Sequence, residues 1–206
     1  MPVVFDCDGV LVDTEPLAAL AWGAWTGRHG YSVTEDDVLA CTGLTEQDTY
    51  AYLCKRVNLP PWEETIAAVD QVRWPLLESE MQAFPDAVKT VRELAMNGVP
   101  LAVASSSRIA SVRRKLDLVD LARFFDVFVG GDEVASGKPA PDVYLLAAGR
   151  LGVEPASCLA VEDAPAGVAA ANAAGMRVVA VNREGQVLAG ATTVSSLDAA
   201  LLQLWL

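Results

Sequence analysis

Residues 3–15 of the chain read VVFDCDGVLVDTE, a short apolar run followed by two aspartates and a glycine. The run Val3–Phe5 is typical of a buried β-strand, and the acidic turn after it marks the end of that strand. Residues two apart in an extended chain face the same side, so the carboxylates of Asp6 and Asp8 can converge there. This stretch therefore predicts a strand that delivers two carboxylates to one edge of a sheet.

Four more short apolar segments are also typical of buried β-strands, and three of them are followed directly by acidic, serine or glycine residues. They cover residues 99–104, 127–129, 158–161 and 177–181. Helical patterns separate them, over residues 85–97, 108–116, 140–151 and 164–174. This alternation predicts an α/β fold, a Rossmann-like parallel sheet with crossover helices. Such sheets bind ligands at the carboxyl ends of their strands.

Residues 15–81 break the alternation, because they show helical patterns without a convincing strand and carry their own aromatic set. We interpret them as a small α-helical cap domain inserted after the first strand. Residues 1–14 and 82–206 then form the α/β core domain. An insertion at this point lies over the carboxyl edge of the sheet, where a lid belongs.

Composition excludes several classes of function. The 206 residues include 27 acids, 15 bases and one histidine, which gives a net charge of −12. This acid excess argues against nucleic acid as a partner, and a single histidine argues against histidine-rich zinc catalysis. No apolar run reaches the roughly 18 residues of a membrane span, so we expect no membrane partner. Four cysteines without a C-x-x-C pair and an acidic start favour a cytoplasmic location.

The residues at the predicted strand ends suit phosphoryl transfer. An aspartate such as Asp6 can attack phosphorus and form an aspartyl-phosphate, while Asp8 can pass a proton to the leaving oxygen. Two carboxylates beside a phosphate repel it, so a cation is required. Glu162 and Asp163, after the fourth strand, add the hard oxygen ligands that Mg²⁺ prefers.

Two further groups can hold a phosphate. Ser105 precedes a predicted helix, whose first N–H groups form an anion site even if the serines also cap the helix. Lys138 can neutralise charge on the phosphoryl oxygens. Its Gly-Lys setting is not a P-loop, because Asp132 stands where the first glycine is needed and Pro139 replaces the Ser/Thr.

Four motifs in this order resemble those of the haloacid dehalogenase superfamily. They are the opening motif at residues 6–15, the serine motif at 103–107, the lysine motif at 137–142 and the metal motif at 161–176. The lysine and metal motifs are similar to those of the β-phosphoglucomutase-like branch, which has a helical cap. The resemblance spans nearly the whole chain and rests on four ordered motifs together, since an Asp-x-Asp alone is weak.

The resemblance implies roles for the residues at these motifs. Asp6 would be the nucleophile and a Mg²⁺ ligand, and Asp8 would be the general acid/base with its backbone carbonyl on the metal. Ser105 and the Ser106 amide would bind the transferring phosphoryl group. Lys138 would bridge nucleophile and phosphate.

The metal motif completes the set that the resemblance implies. Asp163 would bind Mg²⁺ directly, and Glu162 would bind it directly or through water. The same resemblance makes a monomer the expected state.

The cap departs from the mutase pattern. β-Phosphoglucomutases carry an arginine in a Gly-x-Ser-Arg type loop, whereas the loop here starts at Gly43 and has Glu46 at the arginine position. They also carry a histidine where this chain has Ala18. A carboxylate disfavours the second phosphate of a bisphosphate intermediate, although Arg73 can still reach the substrate from the cap.

We therefore expect a Mg²⁺-dependent phosphomonoester hydrolase for a small phosphorylated metabolite such as a sugar phosphate. A β-phosphoglucomutase-type mutase remains an alternative. A second alternative is a catalytically silent binding or regulatory protein on the same fold, although the intact acidic and lysine motifs count against it.

Overall fold

The computed structural model describes residues 1–183 and 187–203 of the chain. Its strands are β1 (Val3–Phe5), β2 (Val12–Asp13), β3 (Gln82–Ala83), β4 (Leu101–Ala104), β5 (Val127–Val129), β6 (Leu159–Glu162), β7 (Arg177–Val181) and β8 (Thr192–Val194). Its helices are α1 (Glu15–Arg28), α2 (Glu35–Cys41), α3 (Glu46–Cys54), α4 (Trp62–Glu80), α5 (Pro85–Met96), α6 (Ile109–Leu118), α7 (Asp142–Leu151), α8 (Pro165–Ala173) and α9 (Ala199–Gln203). Within these residues, no helix has the length and apolar character that a bilayer span requires.

Six of the strands form one parallel sheet in the order β5-β4-β1-β6-β7-β8. The first strand lies in the middle, where Val3 pairs with Leu101 on one side and with Leu159 on the other. The chain fills one side of β1 first and then crosses to the other, which opens a crevice at the carboxyl end of β1. The predicted α/β Rossmann-like fold is confirmed, and β8 is an addition to it.

Helices cover both faces of this sheet. Val3 and Phe5 pack in one apolar layer with α5, α6 and α9, while Val4 packs in the opposite layer with α7 and α8. Because both faces of the sheet are buried at its centre, the strands other than β8 consist largely of continuous apolar runs without alternating polar residues. The polar residues are left to the strand ends, where the site lies.

Helices α1, α3 and α4 share an apolar cluster of their own, built largely from tryptophans and aliphatic residues. Its buried members are Ala21, Trp22, Trp25, Leu53, Leu59, Ile66 and Val69. The chain leaves and re-enters the sheet region through the antiparallel pair β2–β3, in which Val12 faces Ala83. The four helices lie within residues 15–81, and the division of the chain into two domains stays a prediction.

Candidate active site

The carboxyl ends of three adjacent strands bring the predicted core residues together. Asp6 follows β1, Ser105 follows β4, and Glu162 is the last residue of β6, with Asp163 directly after it. Asp6, Ser105 and Glu162 are all buried. Lys138 reaches the same cleft from the loop before α7. Residues from the α1–α4 segment line its other wall.

Lys138 joins two of the carboxylates. Its Nζ atom lies 2.7 Å from Asp6 Oδ1 and 2.5 Å from Glu162 Oε1, and it donates to the Ala104 carbonyl at 3.1 Å. Burial acts to lower the pKa of Lys138, but the two carboxylates outweigh it and raise this pKa above its usual value. The ammonium therefore stays charged. The Tyr144 hydroxyl donates a further hydrogen bond to Glu162 Oε1 at 2.6 Å.

Asp6, Glu162 and Asp163 form an acidic cluster in which one carboxylate oxygen of each residue lies within 4.8 Å of the other two. Two glycines leave room for it: a Cβ atom at Gly9 would overlap the Asp163 carboxylate, and one at Gly167 would overlap that of Glu162. Three hard oxygen donors in one crevice fit a magnesium ion.

The charge balance of the cluster also fits a cation. Burial raises the pKa of Asp6 from 3.8 to about 7, helped by Glu162 and Asp8 and opposed by Lys138. Burial likewise raises the pKa of Asp163 well above its usual value, and the charges of Glu162 and Asp6 add to this. One ammonium does not offset three carboxylates, two of them buried, so a divalent cation would complete the charge balance.

The Asp8 carboxylate contacts a different lysine. Lys115 Nζ lies 2.5 and 2.7 Å from its two oxygens, Thr14 Oγ1 donates at 2.5 Å, and Ser107 Oγ donates at 2.9 Å. Burial acts to raise the pKa of Asp8, but Lys115 and the hydroxyl donors outweigh it and lower this pKa. The Asp8 carboxylate is not part of the acidic cluster found in the described residues, and its predicted metal ligand is its backbone carbonyl.

The serine loop follows β4 and leads into α6. Ser105 Oγ accepts from the Ser107 backbone N–H at 3.1 Å and lies 3.5 Å from Asp8 Oδ2. Ser106 Oγ donates to the Gly43 carbonyl at 3.1 Å, so its side chain contacts the helical segment, which is residues 15–81. The phosphate-binding group that the resemblance implies at Ser106 is the backbone amide, which takes no part in this side-chain contact.

The three predicted cap residues lie around the cleft. Gly43 has a φ of 77°, and a Cβ atom added there would lie 2.9 Å from Ala164 Cβ, so this loop needs glycine to approach the end of β6. Glu46 and Arg73 form an ion pair with each other. Both also line the cleft that contains Asp6.

The sequence matches a known family. The sequence pattern of haloacid dehalogenase-like hydrolases matches residues 3–181. The chain belongs to this family. The resemblance predicted from the four motifs is thereby confirmed.

Individual members of the haloacid dehalogenase-like hydrolases are similar over most of the chain. A probable pseudouridine-5′-phosphatase of Drosophila melanogaster is 38% identical over 86% of this chain and 80% of its own length. Hexitol phosphatase A of Escherichia coli is 36% identical over 87% of this chain and 82% of its own length. A protein from Thermotoga maritima that is provisionally named a β-phosphoglucomutase is 29% identical in sequence to this chain. Its crystal structure aligns over 100% of both chains with a TM-score of 0.77.

Several residues of this hydrolase that shape the site were not predicted from the sequence. They are Thr14, Asp70, Ser107, Arg108, Lys115 and Tyr144. Lys115 had a detectable signal, because it lies three residues after Val112 on the apolar face of α6. A lysine on a buried face needs a charged partner, which here is Asp8.

Proposed function

We propose that this haloacid dehalogenase-like hydrolase is a Mg²⁺-dependent phosphomonoester hydrolase for a small phosphorylated metabolite such as a sugar phosphate. The main support is the meeting of Asp6, Lys138, Glu162 and Asp163 at three adjacent strand ends, beside Ser105. The names of the two relatives, a pseudouridine-5′-phosphatase and a hexitol phosphatase, agree with this proposal.

The reaction proceeds in two displacements. In the first, an Asp6 carboxylate oxygen attacks phosphorus, forms an aspartyl-phosphate and breaks the bond to the alcohol, whose oxygen takes a proton from Asp8. In the second, Asp8 takes a proton from water as the water oxygen attacks phosphorus. The bond to Asp6 breaks, inorganic phosphate leaves, and Asp8 is protonated again for the next cycle.

Asp8 must therefore change its protonation state during turnover. With Lys115 and the hydroxyl donors Thr14 and Ser107 beside it, the lowered pKa of Asp8 suits the base that accepts the proton of water. The negative charge of an incoming phosphate ester acts in the opposite direction and favours the protonated form that donates to the alcohol. The two displacements thus use one carboxyl group in two states.

The remaining residues orient the reacting atoms. Lys138 holds Asp6 and offsets charge on the phosphoryl oxygens, while Ser105 and the Ser106 amide bind those oxygens. Asp6, Glu162, Asp163 and the Asp8 carbonyl would hold Mg²⁺. When bound, this cation offsets the negative charge of the phosphoryl group and of the carboxylates around it.

A mutase is supported less well than a hydrolase. A phosphosugar mutase has to hold a bisphosphate with an anion at each end. Glu46 places a carboxylate in the cap wall, and it already pairs with Arg73 and Arg108. Among the residues described, the cap therefore has no free cation at the position where the second phosphate would bind.

Hydrolysis of p-nitrophenyl phosphate, with and without Mg²⁺, tests the proposal before a panel of phosphorylated metabolites is screened. Asp6→Asn should reduce turnover to below about one hundredth of the wild-type rate, because the amide is a poor nucleophile. Asp13→Asn is a matched control, since Asp13 belongs to the same motif but is exposed. Full activity of Asp6→Asn would refute the assignment of Asp6 as the nucleophile. Turnover that does not depend on Mg²⁺ would refute the metal requirement.

A further inference from the structure

Four charged side chains form a closed ring of ion pairs between the helical segment and the loop before α6. Arg108 Nε lies 2.6 Å from Glu46 Oε2, and Arg108 Nη2 lies 2.6 Å from Asp70 Oδ2. Arg73 closes the ring through its two terminal nitrogens, one on Glu46 and one on Asp70. Each carboxylate therefore contacts both guanidinium groups.

The ring lies next to the phosphate site. Arg108 directly follows Ser107, and both Glu46 and Arg73 line the cleft that contains Asp6. Arg73 is only 7% exposed, and its Nε atom has no hydrogen-bond partner among the described residues. A buried guanidinium with an unused N–H group can bind an anionic ligand when its carboxylate partners are removed.

We infer that Glu46 and Asp70 mask an anion site formed by Arg73 and Arg108, and that this masking determines which phosphate esters the cleft accepts. A substrate with a second phosphate or a carboxylate must displace Glu46 from two arginines. A substrate whose alcohol part carries only hydroxyl groups need not do so. The inference rests on the proposed hydrolase function and narrows its substrates to esters with an uncharged alcohol part.

The other cations of the cleft cannot replace the masked arginines. Lys138 is paired with Asp6 and Glu162, and Lys115 is paired with Asp8. Among the cleft-lining residues that the structure describes, these lysines and Arg73 are the cations. A second anion on the substrate would therefore be desolvated without a free partner, which is unfavourable.

Removing one carboxylate from the ring should unmask the site. Glu46→Gln keeps the size of the side chain but takes one negative charge from both arginines. The affinity for a ligand with a second phosphate should then rise by at least about tenfold, the effect of a charge-assisted contact. Asp70→Asn takes a charge from the same two arginines and should act in the same direction, which keeps the inference testable if one variant does not fold.

The experiment measures binding in an Asp6→Asn background, so that nothing is hydrolysed during the titration. Calorimetry with Mg²⁺ gives the Kd of glucose 6-phosphate and of glucose 1,6-bisphosphate, which differ by one phosphate. With Glu46 intact, the bisphosphate should bind no more tightly than the monophosphate. With Glu46→Gln, bisphosphate affinity should rise at least tenfold, and monophosphate affinity should change by less than about threefold.

Glu78→Gln is the matched control, because the Glu78–Arg114 ion pair also joins α4 to α6 but is exposed and lies outside the ring. It should leave both Kd values unchanged. An equal gain in Glu78→Gln would mean that loosening of the helical segment, and not unmasking, is the cause. Such a gain would overturn the inference. Unchanged bisphosphate affinity in folded Glu46→Gln and Asp70→Asn would also overturn it, and so would tight bisphosphate binding with Glu46 intact. Absence of ester hydrolysis by the wild-type protein would refute only the proposed function.

Discussion

Two aspartates only two residues apart have pKa values shifted in opposite directions. Asp6 shares Lys138 with Glu162, so burial dominates and the pKa of Asp6 rises to about 7. Asp8 has Lys115 on both carboxylate oxygens, so its pKa falls below the usual value. The difference arises from how many carboxylates share each lysine and from the hydroxyl groups of Thr14 and Ser107, which donate to Asp8. Two carboxyl groups close together in the sequence therefore have different pKa values, raised for Asp6 and lowered for Asp8.

Replacing Lys115 by methionine should impair turnover more than substrate binding. Asp8 would lose a buried ion pair, its pKa would rise, and its carboxylate would no longer be held in one orientation. We expect kcat to fall by roughly ten- to a hundredfold, within the range for general acid–base catalysis. The acid limb of the profile of kcat against pH should move to higher pH. A higher pKa keeps Asp8 protonated up to a higher pH, where it cannot accept the proton of water. Steady-state kinetics across pH would measure both effects.

The neighbouring residue offers the control for Lys115. Arg114 lies on the same helix, but half of its side chain is exposed and its partner is Glu78. Arg114→Met should leave kcat and the pH profile unchanged. A Lys115→Met enzyme with wild-type kcat and an unshifted acid limb would contradict the role of Lys115 in positioning Asp8.

The sequence indicates that Lys115 lies on the apolar face of α6, but it could not show that this lysine pairs with Asp8. Helix α6 contains three consecutive basic residues, Arg113, Arg114 and Lys115, and their types are similar. Only the helical rotation relative to Val112 turns the third one inward, where it is buried. The partner, Asp8, is more than a hundred residues away in the chain, so local pattern gives no indication of the pair.

At the scale of the elements, buried apolar strands were predictable, whereas a partly exposed polar strand and two-residue strands were not. All five predicted strands occur, because their continuous apolar character reflects burial on both faces. The strand β8 was missed, since two of the three residues in Thr192–Val194 are polar and the strand is not fully buried. The two-residue strands β2 and β3 are too short to show any periodicity. The strand order also depends on packing between distant segments, which local pattern does not encode.

The start of α8 supports a test of how an element positions the acidic cluster. A Cβ atom at Gly167 would overlap the Glu162 carboxylate, although alanine normally favours a helix. Gly167→Ala should therefore displace Glu162, raise the Mg²⁺ concentration for half-maximal activity by about tenfold and lower the melting temperature. Magnesium titration of p-nitrophenyl phosphate hydrolysis and thermal unfolding would measure these effects.

Gly149 in α7 is the matched position for this test, because nothing lies within 4 Å of a Cβ atom added there. Gly149→Ala should stabilise the protein by up to about 1 kcal/mol through helix propensity and leave the Mg²⁺ requirement unchanged. If Gly167→Ala behaved like Gly149→Ala, the glycine would not be needed to accommodate Glu162.

For the whole molecule, the acidic cluster links metal binding to stability and pH. Without metal, the folded chain binds a proton at Asp6 more tightly than the unfolded chain, because the pKa is raised from 3.8 to about 7. Burial and the charge of Asp8 also raise the pKa of Glu15 to about 7. The stabilisation from these protons is fully present below about pH 4 and is lost as the pH rises through about 7. The metal-free protein should therefore become less stable over that range.

Magnesium should reverse this loss, since its ligands must be ionised and it binds the folded state. We expect Mg²⁺ to raise the melting temperature by several degrees at about pH 8 and by much less at about pH 5, because about 1 kcal/mol corresponds to roughly 2–4 °C for a chain of this length. Thermal unfolding with chelator and with Mg²⁺ at both pH values measures the difference. Asp6→Asn lacks the Asp6 titration, so its melting temperature in chelator should fall less between the two pH values. An equal Mg²⁺ shift at both pH values would show that the cation does not compete with protons at this cluster.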